Sequence, residues 1–201
     1  MTTRVVLFDL GGVLVELVGM PTLRRWAGEA DDEALWARWL TSPWVRRFEC
    51  GGCSPEAFAM GMVEEWTLPV GPEEYLEVFR GWPRRLLPGA RDLVEQVSAA
   101  GWRTGCLSNS NELHWPLKRD GMELGRLLDA HFVSHELGCV KPDPEIYQEV
   151  IAQLGVPAET VLFLDDNQIN VDGARAVGME AFRARGVEEA REVLEARGIL
   201  V

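Results

Sequence analysis

The chain has 201 residues, of which 47% are hydrophobic and 26% are charged, a composition typical of one globular domain with a modest insertion and not of a disordered or collagen-like chain. Charged residues interrupt its apolar stretches before these reach the roughly 20 positions of a membrane span or form a secretory leader, so we expect a cytoplasmic protein that does not act on membranes. The net charge of −12 repels polyphosphate backbones, which argues against nucleic acid as a partner and means that an anionic substrate needs a local positive site.

The first predicted element is a buried parallel strand over residues 4–8, a nearly continuous apolar run that ends at Asp9 and is followed by Gly11 and Gly12. Residues 17–87 then show helical periodicity and no convincing strand. At Ser54 a capping residue precedes proline, which is typical of a helix start. We interpret residues 17–87 as a helical insertion, with predicted helices over 22–28, 31–40, 54–66 and 72–82.

The helical insertion holds six of the eight tryptophans, and two interpretations of them stay open. Large aromatic side chains give a small helical unit its core, or one or two of them line a pocket for a flat substrate.

Cys50 and Cys53 form a C-x-x-C pattern, but it lies between helical patterns without a second pair, so we interpret it as a plain loop with reduced thiols. Arg46 and Arg47 either reach the site or, as we favour, lie on a solvated helix face.

After residue 87 strands and helices alternate, which predicts a parallel sheet with helices on both faces. We therefore expect an α/β fold, a Rossmann-like parallel sheet flanked by helices. Its core would comprise residues 1–16 and 88–201, and residues 17–87 would be a small all-helical cap inserted after the first strand. The predicted strands are 103–107, 131–134, 160–164 and 179–183, and the predicted helices are 88–97, 144–154, 171–177 and 187–196.

Polar residues follow the predicted strands at the carboxyl edge of the sheet, which is where open parallel sheets bind ligands. Carboxylate oxygens without imidazole or thiolate partners favour Mg²⁺, which keeps several waters and shares phosphate oxygens with a substrate. A lysine among them supplies positive charge, and the chain has only two lysines, Lys118 and Lys141. The residues at this edge are Asp9 after the first strand, Ser108 and Asn109 after the second, Lys141 in the loop after the third, and Asp165 and Asp166 after the fourth.

Four segments around these residues carry recognisable motifs. They are FDLGGVL at 8–14, LSN at 107–109, KPDPEIY at 141–147, and FLDDN at 163–167 with Gly173, Ala174 and Gly178 behind it. In this order they resemble the four motifs of the haloacid dehalogenase-like hydrolase superfamily, in which a small cap is expected after the first motif. The chain looks closest to bacterial sugar-phosphate phosphatases of the glucose-1-phosphate type and to the phosphatase domain of soluble epoxide hydrolases.

The resemblance implies that Asp9 is the catalytic nucleophile, which takes up a phosphoryl group as an aspartyl phosphate that water then hydrolyses. The other oxygen of Asp9, the main-chain carbonyl of Gly11 and the carboxylate of Asp166 would bind Mg²⁺. Asp165 would be either a further metal ligand or a residue that holds the site in place.

The resemblance also assigns the phosphate-binding groups. Ser108 and the backbone after it, at Asn109, would hold phosphate oxygens. Lys141 would offset the charge where the anionic nucleophile meets the anionic substrate.

One departure from the family's pattern concerns Gly11. Most phosphatases of the superfamily carry an aspartate there, which protonates the leaving oxygen and later activates water, a contribution of about 10²–10⁴-fold for general acid catalysis. Three explanations stay open: a substrate that leaves easily, such as an anomeric sugar phosphate; proton transfer by His114, just past the second motif; or slow turnover. For His114 we favour a surface or loop histidine.

We therefore expect a Mg²⁺-dependent phosphomonoester hydrolase that acts on a small phosphorylated metabolite, with sugar phosphates as the favoured class. Two alternatives stay open. A phosphate-binding or regulatory protein with little turnover fits Gly11. A metal-independent 2-haloacid dehalogenase uses the same nucleophile, but it gives no reason for Asp165 and Asp166.

Overall fold

Two β-sheets are present in the computed structural model, which describes residues 4–200 apart from the side chains of residues 32 and 33. The strands in this range are β1 (Val5–Phe8), β2 (Val15–Leu17), β3 (Pro83–Leu86), β4 (Arg103–Ser108), β5 (Ala130–Val133), β6 (Val161–Asp165) and β7 (Glu180–Arg183). A parallel sheet has the order β5-β4-β1-β6-β7, and β2 pairs with β3 in a separate antiparallel ribbon.

Helices cover both faces of the parallel sheet and fill the segment between β2 and β3. Short irregular helical turns lie at Leu117–Gly121, a π-helix, and at Ala158–Thr160, a 3₁₀ turn. The α-helices of the described range are α1 (Met20–Ala27), α2 (Asp32–Thr41), α3 (Pro43–Glu49), α4 (Pro55–Trp66), α5 (Pro72–Arg80), α6 (Ala90–Ala99), α7 (Leu124–Leu127), α8 (Ser134–Leu137), α9 (Pro144–Leu154), α10 (Gln168–Ala176) and α11 (Gly186–Ala196).

The parallel sheet is buried on both faces, which explains why its strands are nearly continuous apolar runs. All four residues of β1 are fully buried. Because side chains alternate along a strand, Val6 and Phe8 pack into one apolar cluster with α6 and α11, whereas Val5 and Leu7 pack into another with α9 and α10. The core therefore has two layers, one on each side of the sheet.

The strand order brings the ends of β1, β4 and β6 to the middle of one sheet edge. Strand β1 pairs in parallel with β4 on one side and with β6 on the other. The residues that follow or end these three strands therefore lie next to one another, at the position where open parallel sheets bind ligands.

The segment from α1 to α5 has an apolar core of its own, rich in aromatic rings. Phe48 and Phe58 stack with their ring centroids 4.4 Å apart. The hydroxyl of Ser54 accepts a hydrogen bond from the backbone N–H of Ala57, the helix cap that the sequence predicts before α4. Aromatic area supplies a large apolar burial for a unit of this size.

The predicted α/β fold with a parallel sheet is confirmed, and the expectation of no strand within residues 17–87 is wrong. Residues 83–86 form β3, which a short Pro-Arg-Arg-Leu sequence does not reveal because it lacks the alternation of a half-buried strand. Helix α3 was also absent from the predicted elements. No helix in residues 4–200 has the length and apolar character that a bilayer crossing needs.

Candidate active site

Three carboxylates meet at the carboxyl edge of the sheet. Asp9, Asp165 and Asp166 each have a carboxylate oxygen within 4.8 Å of the others. Asp9 follows β1, and its backbone N–H donates to the carbonyl of Leu164 at 2.7 Å, which fixes it beside β6. Oxygen atoms at this spacing fit a hard divalent cation, which takes carboxylate oxygens as ligands.

The ammonium of Lys141 lies among these carboxylates and is 2% exposed. Its Nζ donates to Asp9 Oδ1 at 2.9 Å, to Asp165 Oδ2 at 2.6 Å and to the carbonyl of Leu107 at 2.9 Å, so all three of its protons are used. Burial alone would lower the pKa of Lys141, but Asp165 and Asp9 together raise that pKa well above its ordinary value. The lysine therefore stays charged and holds Asp9 in one orientation.

Asp165 is fully buried and every lone pair of its carboxylate is occupied. Oδ1 accepts from the backbone N–H of Asn167 at 2.8 Å and from Asn170 Nδ2 at 3.0 Å. Oδ2 accepts from Lys141 and, at 3.1 Å, from the same Asn170 amide. Its contacts are those of a residue that positions Lys141 and the loop after β6.

Asp166 lies close to the backbone of the first motif. Burial, followed by the neighbouring carboxylates of Asp9 and Asp165, raises the pKa of Asp166 to about 8 against the opposing effect of Lys141. A methyl carbon at Gly12 would be 2.6 Å from Asp166 Oδ2, and the backbone φ of Gly12 is +75°. Only glycine combines that φ with so close an approach.

The second motif contributes Ser108 and Asn109. Ser108 ends β4, is 1% exposed, and its hydroxyl donates to the carbonyl of Asn109 at 3.3 Å. The side-chain amide of Asn109 donates to the carbonyl of Lys141 at 3.1 Å and accepts from the backbone N–H of Lys141 at 2.9 Å. Asn109 thus fixes the loop that carries the lysine.

A cavity of about 90 Å³ lies above the carboxylates. Its floor includes Asp9, Lys141 and Asp166, and the helical segment supplies a roof that includes Trp36 and Trp39. An adjoining groove of about 900 Å³ shares Trp36 and Asp166 with the cavity. Since a water occupies about 30 Å³ in the liquid, the cavity has room for a group the size of phosphate, and the rest of a ligand would extend into the groove.

Tryptophans of the helical segment lie in its core, and some of them also line the cavity, whereas substrate binding by them stays a prediction. Trp39 and Trp82 are buried in its core with ring centroids 4.9 Å apart, and both also line the cavity. Trp26, Trp44 and Trp66 pack in the same core away from the cavity lining.

His114 is buried, not at the surface, and it ties the helical segment to the sheet. Its Nε2 lies 2.7 Å from the carbonyl of Phe79, and its Nδ1 lies 3.2 Å from Asn111 Nδ2. The neutral tautomer with hydrogen on Nε2 satisfies both contacts. Burial, reinforced by Lys118, lowers the pKa of His114 to about 3, so near neutral pH the ring is uncharged and has no acidic imidazolium proton to give.

Two charged residues in the cavity wall were absent from the predicted site: Lys118 and Glu49. Lys118 is 3% exposed, and its Nζ lies 3.4 Å from the hydroxyl of Ser110. Burial lowers the pKa of Lys118, while Asp9 and Glu49 oppose that effect. The scarcity of lysine was a signal for Lys118, but no pattern around Glu49 distinguishes it from the many acidic residues of a helical surface.

The other candidate residues of the helical segment lie outside the cavity lining. Arg46 pairs with Asp143, and Arg47 Nε donates to the carbonyl of Gly52 at 2.9 Å. Cys50 is a free thiol in the loop between α3 and α4, and burial raises its pKa. No group of three or more His, Cys, Asp or Glu side chains besides the carboxylate cluster is placed to share a metal in the described part of the chain.

Some known proteins are similar to about half of this chain, and others are similar to nearly all of it. A phosphatase of Mycobacterium tuberculosis is 33% identical over 112 residues, or 54% of this chain and 48% of that protein. An (S)-2-haloacid dehalogenase of Burkholderia cepacia is 32% identical over 48% of this chain and 42% of its own. The match therefore spans less than half of either relative. A D-ribitol-5-phosphate phosphatase of Bacteroides thetaiotaomicron is 23% identical over 94% of this chain and 95% of that protein.

Solved structures show the same fold. A haloacid dehalogenase family enzyme of Bacteroides thetaiotaomicron, solved with magnesium and inorganic phosphate, superposes with a TM-score of 0.70 at 21% identity, covering 91% of this chain and 94% of that one. The family model of haloacid dehalogenase-like hydrolases matches residues 3–178, a range that includes all four motif segments. The chain therefore belongs to the haloacid dehalogenase-like hydrolases.

Proposed function

We propose that this hydrolase removes the phosphoryl group from a small phosphorylated metabolite, with Asp9 as the nucleophile. The observation that carries the proposal is the fixed carboxylate of Asp9: Lys141 holds Oδ1 at 2.9 Å, and Asp166 lies beside it. A carboxylate that is oriented in advance attacks phosphorus without first reorganising. The ammonium of Lys141 then faces the negative charge that accumulates as nucleophile and phosphate approach.

The donor set fits Mg²⁺. In the absence of a cation the three carboxylates repel one another, which is why the pKa of Asp166 is raised to about 8 by burial and by Asp9 and Asp165. Asp9, Asp166 and the carbonyl of Gly11 would hold the ion, whereas the saturated carboxylate of Asp165 acts by positioning Lys141. When bound, Mg²⁺ withdraws charge from the phosphate oxygens.

The substrate side of the site consists of Ser108 and the backbone at Asn109, which would hold phosphate oxygens, with Lys141 as the positive charge. We take residues 17–87 as the cap and residues 1–16 and 88–201 as the core. The cavity of about 90 Å³ suits the phosphate, and the groove of about 900 Å³ suits the remainder of the molecule. A D-ribitol-5-phosphate phosphatase among the relatives supports sugar or polyol phosphates as the class.

A panel of phosphorylated sugars and polyols tests the proposal directly. Purified protein should release inorganic phosphate from at least one of them with Mg²⁺ and should stop when EDTA is added. Asp9→Asn keeps the size of the side chain but removes the nucleophile, so it should abolish release. Turnover that persists in Asp9→Asn, or that ignores EDTA, would rule the mechanism out.

Metal-independent dehalogenation is the second candidate, because relatives named (S)-2-haloacid dehalogenases are similar in sequence to part of this chain. Gly11, which has no carboxyl group, is compatible with it. Chloride release from 2-chloropropionate in the presence of EDTA would favour it.

The third outcome is a binding protein. Gly11→Asp restores the missing acid, and its added carbon would meet only the movable end of Leu17 at 2.7 Å. If neither wild type nor this variant turns over any substrate, but phosphate still binds, the binding role is correct.

A further inference from the structure

The cavity contains a carboxyl group that the proposed reaction does not yet use. Glu49 is the last residue of α3 and lines the same cavity as Asp9, Lys141 and Asp166. Glu49 is half-buried, and within residues 4–200 its carboxyl makes no hydrogen bond or ion pair. It is therefore available to a ligand.

The surroundings of Glu49 keep its proton exchangeable near neutral pH. Burial, with a smaller contribution from Asp9, raises the pKa of Glu49 to about 7. Lys118 from the π-helix, Lys141 from the loop before α9 and Arg46 from its own helix oppose it. A carboxyl poised near the working pH can both donate and accept a proton.

Among the described residues that line the cavity, apart from the proposed nucleophile Asp9 and the proposed metal ligand Asp166, no other titratable group meets both conditions. The ring nitrogens of His114 are engaged by Phe79 and Asn111, and Asp165 is saturated by Lys141, Asn167 and Asn170. Lys118 already has a partner, because its Nζ lies 3.4 Å from the hydroxyl of Ser110.

We propose that Glu49, carried by the helical segment, is the general acid and base that Gly11 cannot supply. The proposal rests on the phosphatase function. In the first step Asp9 forms a bond to phosphorus, the bond from phosphorus to the leaving oxygen breaks, and Glu49 gives that oxygen its proton. In the second step the Glu49 carboxylate takes a proton from a water molecule while the oxygen of that water forms a bond to phosphorus. The bond between phosphorus and Asp9 breaks, which releases inorganic phosphate and leaves Glu49 protonated again.

The dependence on leaving group separates this function from a structural one. Glu49→Gln keeps size and polarity but cannot transfer the proton. With an alkyl phosphate, whose oxygen leaves poorly, the variant should lose about 10²–10⁴-fold in kcat/KM. With p-nitrophenyl phosphate, whose oxygen leaves unaided, the first step should survive, and the variant should release a burst of one equivalent of nitrophenolate before slow turnover. Glu64→Gln, an exposed residue of α4, is the matched control and should behave as wild type.

Each outcome decides the question. A selective loss on the alkyl phosphate together with the burst supports Glu49. Equal losses on both substrates, or no loss, overturn the assignment of Glu49. The phosphatase function still stands in that case, provided that wild type is active and Asp9→Asn is not. If wild type shows no metal-dependent release at all, both proposals fall. Thermal unfolding checks that Glu49→Gln is folded, and Glu49→Met, which suits the apolar wall of the cavity, gives the same comparison if glutamine is not tolerated.

Discussion

At the scale of single residues, Gly12 couples the backbone of the first motif to the proposed metal site. Its φ of +75° costs an alanine about 1–2 kcal/mol, and an added carbon would also be 2.6 Å from Asp166 Oδ2. We expect Gly12→Ala to lower the free energy of unfolding by more than that strain and to raise the Mg²⁺ concentration needed for half-maximal phosphate release, because Asp166 must move.

Gly28→Ala is the matched control for Gly12→Ala. Gly28 has a φ of +65°, but an added carbon there meets no atom within 4 Å. It should therefore show the backbone strain alone, with unchanged Mg²⁺ dependence. Urea unfolding and Mg²⁺ titration of both variants make the measurement, and equal effects of the two variants on Mg²⁺ would contradict the expected clash.

How much of the site the sequence reveals depends on where each residue lies. Asp9, Ser108 and Asp166 follow or end apolar strands, and parallel strands bring their ends to one edge, so their proximity can be predicted. Lys141 is placed by its motif. Glu49 and Lys118 reach the cavity only because α3 and a π-helix pack over the sheet edge, and periodicity within one element contains no information on such packing. The chemical functions of all these residues stay predictions.

At the scale of elements, segments with apolar runs or clear start and stop signals were predictable, and short segments without either were not. The helix predicted at 144–154 has those bounds in the structure, since proline marks its start and glycine its end. Helix α3 has seven residues, and β2 and β3 have three and four. Elements this short contain at most about two periods of either pattern, 3.6 residues for a helix and two for a strand, and tertiary packing decides them instead.

The contact between His114 and α5 predicts a pH dependence of stability. The pKa of His114 is lowered to about 3 in the folded protein by burial, against 6.5 when unfolded. At pH values between these two pKa values, His114 binds a proton in the unfolded chain but not in the folded protein. The free energy of unfolding therefore falls as pH falls, by about 1.4 kcal/mol per pH unit. His114→Gln keeps a donor for the carbonyl of Phe79 but cannot titrate.

Urea unfolding of wild type and His114→Gln at pH 7.5, 5.5 and 4.5 checks this prediction. Carboxylates titrate in both proteins and cancel in the comparison. The free energy of unfolding of wild type should fall relative to that of the variant by about 1.4 kcal/mol for each unit below pH 6.5. Parallel curves would mean that the ring is already accessible to protons in the folded state.

At the scale of the whole molecule, the charge of −12 opposes the proposed anionic substrate. Inside the cavity, Lys141 is already neutralised by Asp9 and Asp165, and Lys118 interacts with Glu49, whereas Arg24 and Arg25 line the adjoining groove beside Glu16 and Glu29. We expect the net charge to dominate the field outside the groove, so that a phosphate is repelled until it is within contact distance of the site.

Salt should weaken that repulsion. The Debye length shrinks from about 30 Å at 0.01 M to about 8 Å at 0.15 M ionic strength, so kcat/KM for a doubly charged alkyl phosphate should rise severalfold over this range. Phosphoethanolamine has the same phosphoryl group and a compensating ammonium, and it should show a smaller rise. Sucrose at matched osmolarity is the control for viscosity and hydration. If kcat/KM for the alkyl phosphate falls as NaCl is added, the field at the cavity mouth is attractive, and surface arginines guide the substrate in spite of the net charge.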